Sequence, residues 1–233
     1  LFDLVIFDCD GTLADSENLN NQAMLDVLHE DGFVQYDMAY ALKHWLGTTV
    51  SESVRQIESE TGKKVSGDAV ARYMKRVHEL HQLHLKPVAG AAGLVGACAA
   101  RTKICVASNG ERNNVLQSLQ LTGLMPFFTP DSVFTKIQVA RPKPAPDLFL
   151  YAAEKMGAAP ARCLVVEDSA AGVAAGRAAG MTVWGFTGTH HDPATQSAAL
   201  LEAGADSIFA RLEQMTDLID DFYSSSSNHT SQL

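Results

Sequence analysis

The feature that most limits what this chain can become is its first apolar run and the way that run ends. Leu4-Val5-Ile6-Phe7 is short, wholly apolar and partly β-branched, the pattern of a buried strand. Two carboxylates one residue apart follow it, then a glycine: Asp8-Cys9-Asp10-Gly11-Thr12-Leu13. The chain therefore turns sharply at the carboxyl end of the strand, which in open α/β sheets is the edge where ligands bind. In extended backbone Asp8 and Asp10 need not face the same way, but a turn at Gly11 can bring the second carboxylate round towards the first.

Further along, strand and helix patterns alternate. Strand patterns occupy 102–107, 132–134, 163–166, 182–186 and 207–209, and helical ones 91–100, 112–121, 146–156, 170–179, 193–203 and 212–222. Such alternation predicts a parallel, doubly wound α/β sheet. The stretch between the first two strands breaks it, showing helical spacing alone, as in Val70, Tyr73, Met74, Val77 and Leu80. Asp15 and Ser16 suit a helix start there, and Asp31-Gly32 a stop. The expected organisation is a core of residues 1–14 and 88–223, a helical insert at 15–87 beside the D-x-D edge, and a disordered Ser-rich tail at 224–233.

Polar residues gather where the strands end. The pattern at 102–107 runs into Ser108-Asn109, and that at 163–166 into Glu167-Asp168-Ser169. Between them lies Arg141-Pro142-Lys143-Pro144-Ala145-Pro146-Asp147, a lysine fixed by flanking prolines. In order (acid pair, hydroxyl, lysine, acid pair) the four motifs resemble those of the haloacid dehalogenase superfamily, whose commonest members are Mg-dependent phosphatases. The resemblance covers most of residues 1–14 and 88–222. It implies a Rossmann-like core, Mg²⁺ as cofactor and a small-molecule phosphate ester as substrate.

The chemistry of that resemblance accounts for the residue types. A carboxylate can attack phosphorus and form an aspartyl-phosphate, dividing one hard hydrolysis into two easier displacements. Asp8, nearest the strand, is the expected nucleophile. Asp10 is the expected general acid for the leaving alkoxide and then general base for water. A dianionic phosphate repels a carboxylate, so a hard cation must lie between them. Asp8, the backbone carbonyl of Asp10 and Asp168 are its expected ligands, with Glu167 a further ligand or supporting partner. Ser108, Asn109 and Lys143 are expected to bind the substrate phosphate.

The insert resembles the cap of the subfamily that includes phosphoglycolate phosphatases, sugar-phosphate phosphatases and β-phosphoglucomutase, a cap that closes over the site. Leu46-Gly47-Thr48-Thr49 resembles its specificity loop, which makes Gly47, Thr48 and Thr49 expected substrate contacts. Many relatives carry a basic residue just after that glycine, where this chain has threonines. Lys43, Arg55, Lys75 and Arg76 are the cations that can replace it. Asn20 stands where the mutase has a cap histidine, a departure from the mutase pattern. The expected function is therefore hydrolysis of a small sugar or polyol phosphate, with a sugar phosphomutase as the alternative. Hydrolytic dehalogenases of the superfamily lack the second acid of the D-x-D pair. A non-catalytic phosphometabolite-binding protein is the reading from another class, and four intact motifs argue against it.

Bulk properties narrow the rest. A net charge of −9 and a pI near 5.3 argue against nucleic acid or an anionic membrane as partner. No apolar run approaches the roughly 18 residues of a membrane span, and the opening run lacks the basic leader of a signal peptide. The four cysteines form no C-x-x-C pair, so a reducing cytoplasm is the expected setting. Flanking acids disfavour a thiolate at Cys9. His78, His81 and His84 have metal-like spacing, but the first and third lie far apart around a helix, which favours structural or solvent-facing roles. Gly172, Gly176 and Gly180 do not make a dinucleotide fingerprint and are expected to allow close helix–sheet packing. Nothing resembles an obligate interface, so a monomer is expected.

Overall fold

The computed structural model describes residues 1–45 and 49–227. The chain divides into two compact units, one drawn from both ends (Leu1–Asp15 with Lys86–Leu233) and one made of Ser16–Leu85. In the first unit, β1 (Leu4–Phe7), β2 (Lys103–Ser108), β3 (Val133–Thr135), β4 (Cys163–Glu167), β5 (Thr182–Phe186) and β6 (Ser207–Phe209) form one sheet in the order β3-β2-β1-β4-β5-β6. Every neighbouring pair is parallel. In the second unit lie α1 (Glu17–Glu30), α2 (Met38–His44), α3 (Val50–Thr61) and α4 (Ala69–His84). The sheet is flanked by α5 (Ala91–Ala99), α6 (Arg112–Leu121), α7 (Asp147–Met156), α8 (Ala170–Ala178), α9 (Pro193–Glu202) and α10 (Leu212–Ser227).

All four residues of β1 are buried because successive side chains face opposite sides of a covered sheet. Leu4 and Ile6 join Cys105, Val165 and Val183 in a core closed by α7, α8 and α9. Val5 and Phe7 face the other way, the side on which α5 packs against β2 and α10. This is the doubly wound α/β sheet that the alternation predicts. The order of the strands reverses between β1 and β4, so the ligand edge of this fold lies at their carboxyl ends.

Strand boundaries shift in a way that matters for function. The stretch expected at 102–107 is Lys103–Ser108, and that at 163–166 runs on to Glu167. Ser108 and Glu167 are thus terminal ladder residues, level with Thr135 and Gly185 on the neighbouring strands.

The unit boundary also moves slightly. The Asp15 N–H donates to the Lys86 carbonyl at 3.0 Å, and the Val88 N–H to the Leu13 carbonyl at 2.9 Å. The outgoing and returning strands pair with one another, so Asp15, Lys86 and Pro87 stay with the sheet. The last helix does not stop at residue 222. Anchored by Leu212, Met215 and Ile219, α10 continues through the first serines to Ser227, and residues 228–233 lie outside the described region.

The second unit has its own core, with Leu25, Leu28, Phe33, Tyr36, Trp45 and Ile57 among its members. Arg72 pairs with Glu30, Asp31 and Asp68, and Arg76 with Asp26, Glu30 and Glu79. Lys75 faces Glu79, whereas Lys43 and Arg55 carry no ion pair among the described residues. His81 is buried with its Nε2 3.0 Å from Asn20 Oδ1, and His78 and His84 are exposed. The three histidines form no metal cluster among the described residues.

Truncating the central strand tests the packing directly. Ile6 is fully buried in the face closed by α7, α8 and α9. Ile6→Ala is expected to cost about 2–5 kcal/mol of unfolding free energy in a urea titration, because the site cannot collapse around the missing atoms.

Candidate active site

Four stretches of the first unit converge at the carboxyl ends of β1 and β4. Asp8 extends β1 by one residue, its N–H donating to the Val166 carbonyl at 3.0 Å. The chain then folds back sharply: Leu13 and Ala14 both donate to the Cys9 carbonyl at 2.9 Å, and Gly11 N–H donates to Ala14 at 2.8 Å. Gly11 sits at φ +80°, and a Cβ there would come within 2.1 Å of Asp168 Oδ2. Only glycine serves both that backbone angle and that close approach.

At the centre is Lys143, which is buried. Its ammonium donates to Asp8 Oδ1 at 2.7 Å, to the Ala107 carbonyl at 2.7 Å and to Glu167 Oε1 at 2.5 Å. An ammonium has three protons, so all of them are engaged. The nitrogen also lies 4.7 Å from the centre of the Phe149 ring, on α7. Asn109 fixes the backbone that carries this lysine, its amide donating to the Lys143 carbonyl at 2.9 Å and accepting from the Lys143 N–H at 3.1 Å.

Glu167 is fully buried, and both of its oxygens are engaged. Oε2 accepts from the Ser169 N–H at 3.0 Å and the Ser169 hydroxyl at 2.9 Å. Ser169 also caps α8 by accepting from the Gly172 N–H at 3.0 Å. A Cβ at Gly172 would come 1.8 Å from Glu167 Oε1, so this glycine makes room for the buried acid rather than for the sheet. Gly176 is the one that packs against the sheet, where a Cβ would meet Val183 at 2.7 Å. Asp168 Oδ1 accepts from the Thr12 hydroxyl at 3.0 Å. Ser108 Oγ accepts from the Gly110 N–H at 2.9 Å, which leaves its own proton to donate. A Cβ at Gly110 would lie 3.2 Å from Ser108 Oγ and 3.4 Å from Asp10 Oδ2, so both border the space over that glycine.

The electrostatics follow from one cation between two buried acids, with Asp10 and Asp168 partly exposed beside them. Burial is the largest influence on Asp8 and, with help from Glu167 and Asp10, pushes its carboxyl up to about 8 against the pull of Lys143. Burial opposes the Lys143 ammonium too, yet Asp8 and Glu167 outweigh it and hold the lysine above its ordinary value. Burial, then Asp10 and Asp8, drives the Cys9 thiol far up, so this cysteine is inert. One ligand atom from each of Asp8, Glu167 and Asp168 lies within 4.8 Å of the others. An all-oxygen donor set with negative charge in excess fits a hard divalent cation.

Asp8, Asp10, Ser108, Lys143, Glu167 and Asp168 are brought together. Asn109, expected to bind phosphate, gives one amide proton to the Lys143 carbonyl and keeps a second, and Lys143, expected to do the same, has its ammonium on the acids and Ala107. Thr49, expected to contact substrate, caps α3: its hydroxyl accepts from the Glu52 N–H at 3.3 Å while Glu52 Oε2 accepts from the Thr49 N–H at 2.7 Å. Gly47 and Thr48 lie outside the described residues. Gln196 and Thr189, which touch the acid-bearing loops, carry no motif that marks them in the sequence. No described helix is long and apolar enough to cross a membrane.

A buried acid–lysine–acid set thus stands at the switch point of the sheet. Residues 5–186 match the haloacid dehalogenase-like hydrolase family, and the chain belongs to it. It is similar to the 6-phosphogluconate phosphatase of Escherichia coli (strain K12), at 33% identity over 189 residues that cover 81% of this chain and 84% of that protein. Fructose-1-phosphate phosphatase YqaB of the same strain is 31% identical over 177 residues, covering 76% and 92%. The crystal structure of a haloacid dehalogenase-like protein of unknown function from Agrobacterium tumefaciens str. C58 superposes with a TM-score of 0.84. That protein is 32% identical, and the match covers 96% of this chain and 100% of that one. The chain is accordingly an enzyme, a phosphoric monoester hydrolase.

Two measurements probe the buried charges. Lys143→Met leaves Asp8 and Glu167 without their shared counter-ion and is expected to cost about 3–5 kcal/mol of stability in chemical denaturation. The second concerns pH in the metal-free chain. Asp8 titrates near 8 when folded and near its ordinary 3.8 when unfolded, so between these values the folded state holds the extra proton. Its contribution to stability is therefore largest at acid pH and is lost as pH rises through that window. With EDTA present, the urea midpoint is expected to fall from pH 5 to pH 8 more steeply in the native sequence than in Asp8→Asn.

Proposed function

We propose that this enzyme is a Mg²⁺-dependent phosphatase that hydrolyses a small sugar or polyol phosphate monoester through an aspartyl-phosphate on Asp8. The observation that carries the reading is the setting of Asp8 itself. One carboxylate oxygen is held by Lys143, and the other accepts no hydrogen bond among the described residues. A carboxylate fixed at one oxygen presents the second in a constant direction, as an attacking group requires.

The roles follow from the contacts. Asp8, Asp168 and the Asp10 carbonyl are the groups that would hold the cation, with Glu167 supporting them through Lys143 and Ser169. Bound Mg²⁺ supplies charge neutralisation between the nucleophile and a dianionic phosphate. The Ser108 hydroxyl donates to a phosphoryl oxygen. Lys143 offers its charge to the site while its hydrogen bonds stay on the acids, and Asn109 keeps the lysine's backbone in register.

In the first displacement the free Asp8 oxygen bonds to phosphorus as the bond from phosphorus to the ester oxygen breaks. Asp10 gives its proton to the departing alkoxide, which leaves as an alcohol. Asp10, now ionised, takes a proton from water, whose oxygen attacks the same phosphorus. The bond to Asp8 breaks, inorganic phosphate is released and the carboxylate is restored. Because the transition state is loose, these residues mainly position and neutralise. The substrate class is supported by the relatives, one named for 6-phosphogluconate and one for fructose 1-phosphate.

Phosphate release from a panel of sugar, polyol and sugar-acid phosphates tests this. Expected is release concentrated on one or a few compounds and abolished by EDTA. Asp8→Asn should be silent, and Asp10→Asn slower by about 10²–10⁴-fold. Turnover that survives in Asp8→Asn, or silence of the native enzyme across the panel, would sink the reading.

A further inference from the structure

Two polar side chains beyond β5 are aimed at the backbone of the acid-bearing loops. Thr189 donates its hydroxyl to the Gly11 carbonyl at 2.7 Å. Gln196, buried on α9, donates its side-chain amide to the Asp168 carbonyl. A carbonyl only accepts, so the end of the amide that faces it is the NH₂. Asp168 lies one residue past the end of β4 and one residue before Ser169, the N-cap of α8. Its carbonyl therefore lies between the ladder and the helix, where the Gln196 amide holds the peptide plane that carries its carboxylate.

The segment that carries the two donors is itself fixed. The Thr187 N–H donates to the Phe209 carbonyl at 2.9 Å, tying the end of β5 to the end of β6. Gly188 lies so close to the next turn that a Cβ would come 2.4 Å from the Ala210 carbonyl oxygen. Asp192 caps α9, its carboxylate accepting from the Thr195 N–H at 3.2 Å and the Thr195 hydroxyl at 2.7 Å. The donors thus stand on a frame anchored to β5 and β6, the strands that continue the sheet beyond β4.

We infer that Gln196, seconded by Thr189, is a positioning residue of the phosphatase. It fixes the Asp168 peptide, while Thr189 fixes the Gly11 peptide next to Asp10. The β5–α9 segment thereby sets the separation of the two loops that would hold the cation. This rests on the function proposed above. Neither residue touches the reacting atoms. Supporting partners of this kind typically change metal affinity by about 10–100-fold when removed.

The test is Mn²⁺ binding to the metal-free chain, followed by the signal of free Mn²⁺ in electron paramagnetic resonance, since Mn²⁺ takes the same oxygen donors. Gln196→Met keeps length and volume but removes the donor, and Thr189→Val does the same at a half-buried position where folding is less at risk. Expected is a Mn²⁺ dissociation constant raised about tenfold or more in Gln196→Met and less in Thr189→Val. Phosphatase kcat at saturating Mg²⁺ should recover to near the native value, so that the loss appears in the metal requirement. A purely structural role would instead lower the metal-free melting temperature and leave the dissociation constant unchanged. If the native chain binds Mn²⁺ and both variants bind it equally well, the inference is overturned and the phosphatase stands. If the native chain neither binds Mn²⁺ nor releases phosphate, the phosphatase reading fails and the inference goes with it.

Discussion

The interaction on which the site depends is a single ammonium held among two carboxylates and a carbonyl. Lys143 bridges Asp8, next after β1, and Glu167 on β4, and its third proton reaches Ala107 on β2. It therefore ties together the carboxyl ends of three adjacent strands at the point where the strand order reverses. Removing two acids from water is costly, and one lysine cannot neutralise both of them together with Asp168. Burial first, and then the neighbouring Glu167 and Asp10, raise Asp8 against the pull of Lys143, and a divalent cation would relieve the part that those acids contribute. Structural charge balance and the proposed chemistry thus meet at the same acids.

Much of the surrounding sequence can be read as support for that ammonium. Asn109 holds the lysine's backbone by two hydrogen bonds, and Phe149 offers its ring to the charge. Ser169 satisfies the second oxygen of Glu167 while capping α8, so one hydroxyl serves both the acid and the helix start. Gly172 is needed because any side chain there would collide with the same acid. These residues carry no reactive group into the site. They fix where reactive groups stand, and in an enzyme whose chemistry is mainly positioning and neutralisation that is most of the task.

The sheet was legible because strands buried on both faces leave a signal in a single sequence. Leu4–Phe7 is an apolar run followed by an acid and Cys163–Glu167 one that ends in an acid, and their shortness and β-branched content favour a strand. Asp8, Asp10, Lys143 and Asp168 were legible for a related reason: each sits within three residues of the end of such a run or between prolines, so its place along the chain gives its place in space. The details were less legible where a residue has two chemically sound uses. Asn109 can donate to a phosphate or clamp a neighbouring loop, and Thr49 can meet a substrate or cap a helix. Local sequence does not reveal the clamp, since the loop that Asn109 holds is 34 residues away. Glu52, which shows that Thr49 is a cap, is only three residues on, and the T-x-x-E spacing was a signal available for reading.

The same argument explains why Gln196 and Thr189 leave no mark in the sequence. Each reaches a backbone carbonyl, which every residue possesses, so the target carries no chemical signature of its own. The separations are 28 residues for Gln196 and 178 for Thr189. A motif arises when groups that act together lie close in sequence or must be of a special type, and neither condition holds here. What the structure adds is the observation that a buried glutamine donates to a carbonyl lying between a strand end and a helix cap. Burying an amide is unfavourable unless its hydrogen bonds are made, so its presence on α9 implies that the bond to Asp168 matters to the fold at that point. Since Asp168 is also an acid at the candidate metal site, the same bond that satisfies the glutamine bears on how the site is held.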